Sequence, residues 1–246
     1  MSPASTARAP LDTAMVFAAG LGTRMRPITN TLPKPLVQIG GKAMLDHMLD
    51  RLAEGGVTRA IVNVHHLADQ IENHLEGRTR PEIIISDERA KLLDQGGGIK
   101  KVLPLIGDAD FLICNTDAVW LEGPHSSIAA LRAAWRPEDM DVLLLVAATS
   151  GSVGVDWPGD FHMAPDGRLT KRAEREVSAF VYAGVGIVKA SLFKGATEEV
   201  FRLAPYFFRA AEVGRLHGLR LNGQWLHVGA PEAIDEAERA YARPAA

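Results

Sequence analysis

From Ala14 onward, apolar runs of strand length alternate with apolar residues at helical spacing. Ala14-Met15-Val16-Phe17-Ala18 reads as a short buried strand that runs into a glycine turn. Met44, Leu45, Met48, Leu49 and Leu52 recur at helical spacing, and Gly55-Gly56 stops that helix. Strands follow at Ala60–Val64, Ile83–Ile85, Phe111–Ile113 and Val142–Val146. Between them, Ile71 with Leu75, and Ile128 with Leu131 and Trp135, mark further helices. The second half predicts strands over Phe161–Met163, Arg168–Lys171 and Phe180–Val188, with Asp166-Gly167 as a turn. Helices are expected around Glu198 to Val213 and Pro231 to Ala242, with a short strand at Leu219 to Leu221.

Alternating strands and helices imply an α/β fold, a mostly parallel sheet covered by helices on both faces. Such sheets bind ligands beyond the carboxyl ends of their strands. The loops after Ala18, Val64, Ser86, Cys114 and Thr149 are therefore the expected site. The 246 residues suit a single domain over 13–246, in two halves of different character, about 13–150 and about 151–246. Met1 to Asp12, rich in Ser, Ala, Thr and Pro, reads as a disordered tail.

Composition narrows the function classes. A net charge of −3 without a basic block argues against a nucleic-acid partner. Apolar stretches such as Val142 to Ala148 are too short to span a bilayer, so no membrane partner is expected and the protein reads as cytoplasmic. The single cysteine, Cys114, sits in an apolar run and reads as a core residue.

The chemistry concentrates after the first strand, in Ala18-Ala19-Gly20-Leu21-Gly22-Thr23-Arg24-Met25-Arg26-Pro27. A glycine-rich turn lets backbone N–H groups converge on phosphate oxygens. Met25 stands where the third glycine of a dinucleotide fingerprint belongs, and no Gly-Lys-Ser/Thr follows, so neither that motif nor a P-loop is present. Pro33-Lys34-Pro35-Leu36 then brackets one lysine between prolines that stiffen the backbone.

Together, Gly20-Leu21-Gly22-Thr23-Arg24-Met25-Arg26-Pro27-Ile28-Thr29 and Pro33-Lys34-Pro35-Leu36 resemble the signature of the sugar-1-phosphate nucleotidylyltransferases. The resemblance implies a Rossmann-like, GT-A-like fold and transfer of a nucleotidyl group from an NTP to a sugar 1-phosphate, with release of pyrophosphate. It implies that backbone amides around Ala18, Ala19, Gly20, Gly22 and Thr23 cradle the triphosphate. Arg24 would neutralise the β and γ phosphates, and Lys34 would approach the α phosphate and the incoming sugar phosphate. Asn115-Thr116-Asp117 resembles the element in which the aspartate holds Mg²⁺, with Mn²⁺ as an alternative, while Asn115 orients nearby groups. Gln95-Gly96-Gly97-Gly98-Ile99 reads as a flexible loop closing a strand–helix connection, or resembles the segment against the nucleobase, with Gly97 and Gly98 as contacts.

On the sugar side, Pro158-Gly159-Asp160-Phe161 and Phe180 to Val185 resemble pocket segments of the branch acting on UTP and N-acetylmuramate 1-phosphate, in cell-wall recycling. Gly159, Asp160 and Gly184 are the candidate contacts. A Glu-Lys-Pro element common in the wider family is missing, and Lys171-Arg172 is either a substitute for its charge or a solvated turn. Near the C-terminus the usual Trp-x-Asp-x-Gly-Thr reads Trp225-Leu226-His227-Val228-Gly229-Ala230, so His227 stands where a second metal carboxylate belongs. A mannose-1-phosphate guanylyltransferase and a non-catalytic nucleotide-sugar sensor are the competing expectations.

Overall fold

The computed structural model describes residues 11–242. In chain order they form β1 (Thr13–Phe17), β2 (Gln38–Ile39), β3 (Lys42–Ala43), α1 (Met44–Glu54), β4 (Arg59–Val64), α2 (Ala68–Leu75) and β5 (Glu82–Asp87). Next come α3 (Asp94–Ile106), β6 (Phe111–Asn115), β7 (Ala118–Glu122), α4 (Ser127–Ala134) and β8 (Val142–Ala148). The remainder is β9 (Phe161–Met163), β10 (Leu169–Lys171), β11 (Phe180–Val188), α5 (Ala204–Glu212), β12 (Leu216–Arg220), β13 (Gly223–His227) and α6 (Glu232–Tyr241).

Nine strands make one mixed sheet in the order β10-β9-β11-β6-β1-β4-β5, with β8 on β11 and β12 on β8. Its centre is parallel, as the strand–helix alternation predicts. The antiparallel pairings enter with β11, which lies beside both β6 and β8 and so joins the two halves of the chain in one sheet. Alternation along β1 sorts its side chains. Ala14 and Val16 pack with Leu45, Met48, Leu49 and Leu52 of α1, Ile71 of α2 and Leu131 of α4. Met15 faces the other way, toward Ile99 and Val102 of α3 and Phe207 of α5. Each fully buried leucine of α1 stabilises the fold by roughly 1.5–3 kcal/mol relative to its exposure.

Three expectations need correction. Of the disordered tail, residues 1–10 lie outside the described residues, but Leu11 is buried in the core. Asp12 accepts the Thr58 and Arg59 N–H groups on its carbonyl, at 2.9 and 3.0 Å. The glycine segment is not an open loop, because α3 already includes Gly96, Gly97 and Gly98. Glycine is a poor helix former, and close packing explains its use here. A Cβ at Gly96 would lie 2.3 Å from the Phe201 ring, and one at Gly97 would lie 2.2 Å from the Glu199 carbonyl oxygen. The helix expected from Glu198 starts only at Ala204, because the Phe201 carbonyl is used to accept the Gly96 N–H at 2.9 Å.

An unanticipated ribbon completes the fold. β7 and β13 pair antiparallel, with His227 opposite Ala118. Val119 and Leu226 of this ribbon bury against Met25, Val37, Ile39 and α6.

Candidate active site

Phe17 of β1 is in register with Asn63 of β4 on one side and Asn115 of β6 on the other. These three carboxyl-terminal positions open into a cavity of about 520 Å³. One wall is the turn, including Ala18, Ala19, Gly20, Gly22, Thr23 and Arg24. Lys34, Asn115 and Asp117 also line it.

The turn explains its own glycines. Gly22 adopts φ 60°, a left-handed conformation, and a Cβ there would approach Thr29 Cγ2 to 2.8 Å. Its carbonyl accepts Thr29 Oγ1–H and the Met25 N–H, each at 2.8 Å, and the buried Met25 anchors the turn to the interior. Gly20 is different: a Cβ there would meet no protein atom within 4 Å. Gly20 lines the cavity, so its missing side chain leaves room for a ligand instead of relieving the fold. Arg24 is exposed on the same rim.

Lys34 Nζ donates to Asp117 Oδ2 at 2.7 Å, and the two side chains keep 13% and 25% of their accessible surface. A charge-assisted bond at this depth is stronger than a solvated surface pair. Burial works to raise the Asp117 carboxyl, but the Lys34 ammonium, with His227 and Arg24 behind it, holds it below the usual carboxylate range. Thr116 Oγ1–H donates to the Phe17 carbonyl at 3.1 Å and fixes this corner to β1. Asn115 Oδ1 accepts from Gln95 Nε2 at 2.8 Å, which ties the corner to α3.

His227 is half-buried beside this pair. Its ring meets Trp157 edge-on and Trp225 at a tilt, both with centroids 5.2 Å away. Burial pushes its imidazole pKa down; Asp117 opposes this, while Lys34 and Arg24 reinforce it. Gly229, on the cavity wall, has no room for a side chain because a Cβ would lie 2.5 Å from His227 Nε2. Among the described residues, no three His, Cys, Asp or Glu groups cluster as a ready-made metal cage.

Several expected contacts fall outside the cavity. Gly97 and Gly98 are buried within α3, and the Gly97 N–H is directed at the Phe201 carbonyl. Beside the start of α3 the cavity is lined instead by Leu92, Asp94, Gln95 and Val200. Asp160 is not among the cavity-lining residues, and both its oxygens are engaged: Oδ1 accepts from Trp157 Nε1 at 3.1 Å, and Oδ2 accepts from the Tyr182 N–H at 2.9 Å. Gly159 packs against the Ser178 backbone and hydroxyl, and Gly184 against the side chains of Ala118 and Asn115, so each glycine permits close packing within the fold. Lys171 caps the Phe208 ring, and Arg172 donates to the Gly159, Ala173 and Glu176 carbonyls, so neither is a free charge at the cavity.

The cavity floor also contains Asn63 and Glu88, which the motifs did not mark. An asparagine inside the apolar run Ala60 to Val64 was the available signal. Burial pushes the Glu88 carboxyl above its usual range, while bonds from Asn63 and the Leu93 N–H draw it back. Burial likewise pushes the Cys114 thiol far up, consistent with an inert core residue. No helix among the described residues is long and apolar enough to cross a membrane.

The nucleotidyl transferase family model matches residues 13–149. The chain is 45% identical over 229 residues to the N-acetylmuramate alpha-1-phosphate uridylyltransferase of Caulobacter vibrioides, covering 92% of this chain and 95% of that one. It is 33% identical over 228 residues to the enzyme of the same name from Neisseria meningitidis serogroup B, covering 92% and 96%. A solved UDP-glucose pyrophosphorylase complexed with UDP-glucose shares the fold, with a TM-score of 0.76 at 16% identity over 94% of this chain and 98% of that one. The chain therefore belongs to the nucleotidyl transferase family and is a sugar-1-phosphate nucleotidyltransferase.

Proposed function

We propose that the protein transfers the uridylyl group of UTP to N-acetylmuramate 1-phosphate, giving UDP-N-acetylmuramate and pyrophosphate, as a cytoplasmic step of cell-wall recycling. The observation that carries the chemistry is the Lys34–Asp117 pair at 2.7 Å, which lines the same cavity as the uncrowded Gly20. The choice of substrates rests on the relatives' activity.

A sugar phosphate is already an anion near neutral pH, so the reaction needs no general base. One of its oxygens forms a bond to the α phosphorus, the bond from that phosphorus to the bridging oxygen breaks, and its electron pair leaves with pyrophosphate. The work of the site is alignment and charge neutralisation. Amides of the Ala19 to Thr23 turn receive the triphosphate, since the Ala18 N–H is already donated to Asn63 Oδ1 at 2.8 Å. Arg24 faces its β and γ phosphates, and Lys34 stands between the α phosphate and the sugar phosphate. Asn115, already bonded to Gln95, orients the corner where the two substrates meet.

The donor set suits Mg²⁺. Asp117 engages Lys34 through Oδ2, which leaves Oδ1 to face a cation, and His227 stands beside it. Magnesium commonly needs only one or two carboxylates and takes its other oxygens from phosphates and water. Bound there, it would supply charge neutralisation and in-line alignment of the phosphates. Imidazole is the weaker partner for Mg²⁺ and a better one for Mn²⁺.

Two measurements test this reading. Pyrophosphate release is followed with each of UTP, GTP, CTP, ATP and dTTP against a panel of sugar 1-phosphates. UTP with N-acetylmuramate 1-phosphate is expected to give the highest kcat/KM. A preference for GTP with mannose 1-phosphate would replace the substrate assignment, and nucleotide binding without turnover on any pair would favour a sensor. Separately, His227→Asp is expected to lower the magnesium concentration needed for half-maximal rate without abolishing turnover, because a carboxylate replaces a nitrogen donor. Burial pushes the His227 imidazole below its ordinary pKa. Wild-type activity is therefore not expected to fall as pH rises through about 6.5, as it would if an imidazolium held the sugar phosphate. An unchanged magnesium requirement in the variant would remove His227 from the metal site.

A further inference from the structure

Asn63 and Glu88 are 3% and 2% exposed, unusually deep for polar side chains on a ligand cavity. Asn63 Oδ1 accepts the Ala18 N–H at 2.8 Å, and its Nδ2 donates to Glu88 Oε1 at 2.8 Å. Glu88 Oε2 accepts the Leu93 N–H at 3.2 Å. Ala18 opens the glycine turn, and Leu93 immediately precedes α3. One chain of hydrogen bonds thus links the phosphate side of the cavity to its base side.

The polarity of this chain is forced. Backbone N–H groups only donate, so Asn63 must present its oxygen to Ala18 and its NH₂ to Glu88. Glu88 receives a donor on each oxygen, an arrangement that a carboxylate satisfies and a neutral amide cannot. The neighbouring helix is seated directly on the pair: a Cβ at Gly98 would lie 3.0 Å from Glu88 Oε1 and 3.2 Å from Asn63 Nδ2. A buried negative charge beneath a site for an anionic triphosphate opposes the ligand. A fold that merely needed filler there would use an apolar side chain. What the carboxylate uniquely provides is a shared acceptor for donors arriving from both sides.

We propose that Glu88 is a positioning residue for the nucleotide: through Asn63 it sets the glycine turn, and through Leu93 it sets the start of α3. The phosphate-binding and base-binding walls are thereby kept in one register. The inference rests on the cavity being the NTP site and is independent of which base or sugar is used.

A polarity swap tests it. In Glu88→Gln alone, the new NH₂ must face either the Asn63 NH₂ or the Leu93 N–H, and flipping Asn63 only moves the clash to Ala18. In Asn63→Asp alone, two carboxylates abut. In the double variant every bond returns: the new aspartate accepts from Ala18 and from the new glutamine, whose carbonyl accepts from Leu93. The full-length protein is assayed on the substrate pair that wild type turns over fastest, with calorimetric binding of the same magnesium nucleotide and the melting temperature of each free protein. Each single variant is expected to raise the KM for the nucleotide about tenfold or more, with a smaller change in kcat. The double variant is expected to return to within about threefold of wild type.

A purely structural role predicts lowered melting temperatures in the singles with an unchanged nucleotide KM, and would overturn the proposal. So would a double variant that binds no better than the worse single, or that fails to fold despite its restored bonds. A Glu88→Gln protein that changes its preferred base without recovery in the double would make Glu88 a direct base contact instead. If wild type prefers a pair other than UTP and N-acetylmuramate 1-phosphate, the substrate assignment fails, while the swap decides the positioning role on the pair that works.

Discussion

Asp117→Ala is expected to lower kcat by at least about 10²-fold at saturating substrates and magnesium, the usual cost of losing a charge contact made in the transition state. Among the described residues Asp117 is the only carboxylate paired with Lys34 at the cavity corner, and it keeps a quarter of its surface accessible. Removing it leaves Lys34 without its counter-charge. That would strengthen ground-state attraction between the lysine and the triphosphate while weakening metal placement. Nucleotide KM should therefore hold or fall while kcat drops, a pattern that loss of folding does not produce. The measurement is continuous pyrophosphate release across a magnesium titration. Near-wild-type turnover at high magnesium would refute the assigned role.

Lys34→Ala is expected to reduce kcat by about tenfold or more even with both substrates saturating, because in the proposed reaction the lysine would stand where the reacting phosphates converge. The loss is compounded locally, since an unpaired Asp117 carboxylate would then face two anionic substrates. Lys34→Arg is not expected to restore the rate: a planar fork between Pro33 and Pro35 cannot place a point charge as an ammonium does. Arg24→Ala supplies the contrast. Exposed on the rim, Arg24 should act mainly on nucleotide KM. Should Lys34→Ala raise only KM, the lysine would belong to ground-state binding.

The elements legible in the sequence were those whose reason is local. β1, β4, β6, β8 and β11 declare themselves by apolar content, and α1 by its spacing between a strand and Gly55-Gly56. The glycine turn was legible because Gly22 needs its left-handed backbone whatever surrounds it. Other features have distant causes. The need for glycine at 96 and 97 follows from Phe201 and Glu199, more than a hundred positions away, which occupy the space a side chain would need. Asp160 invites a sugar-binding reading until Trp157 and the Tyr182 N–H are seen to hold its oxygens. Glu88 looks like one more charge in a polar loop, and only the docking of α3 and β4 around it reveals a buried carboxylate. The ribbon of β7 and β13 carries no two-residue alternation strong enough to announce it, and its partners are separated by a hundred residues of chain.

That ribbon bears on how such enzymes can be recombined. Asp117 immediately precedes β7, and His227 ends β13 opposite Ala118, so hydrogen bonds between the ribbon's two strands bring together the two candidate cation-side groups. The region matched by the family model stops at 149, which leaves β7 without its partner and β6 and β8 without β11 between them. A chimera cut near residue 150, exchanging sugar specificities by joining halves from two relatives, would force strands of foreign origin to pair at both places. Even a graft confined to the stretch between β8 and β11 would reach the ribbon, because Val153 in that stretch donates its N–H to the Trp225 carbonyl and accepts the His227 N–H on its own, each at 2.9 Å.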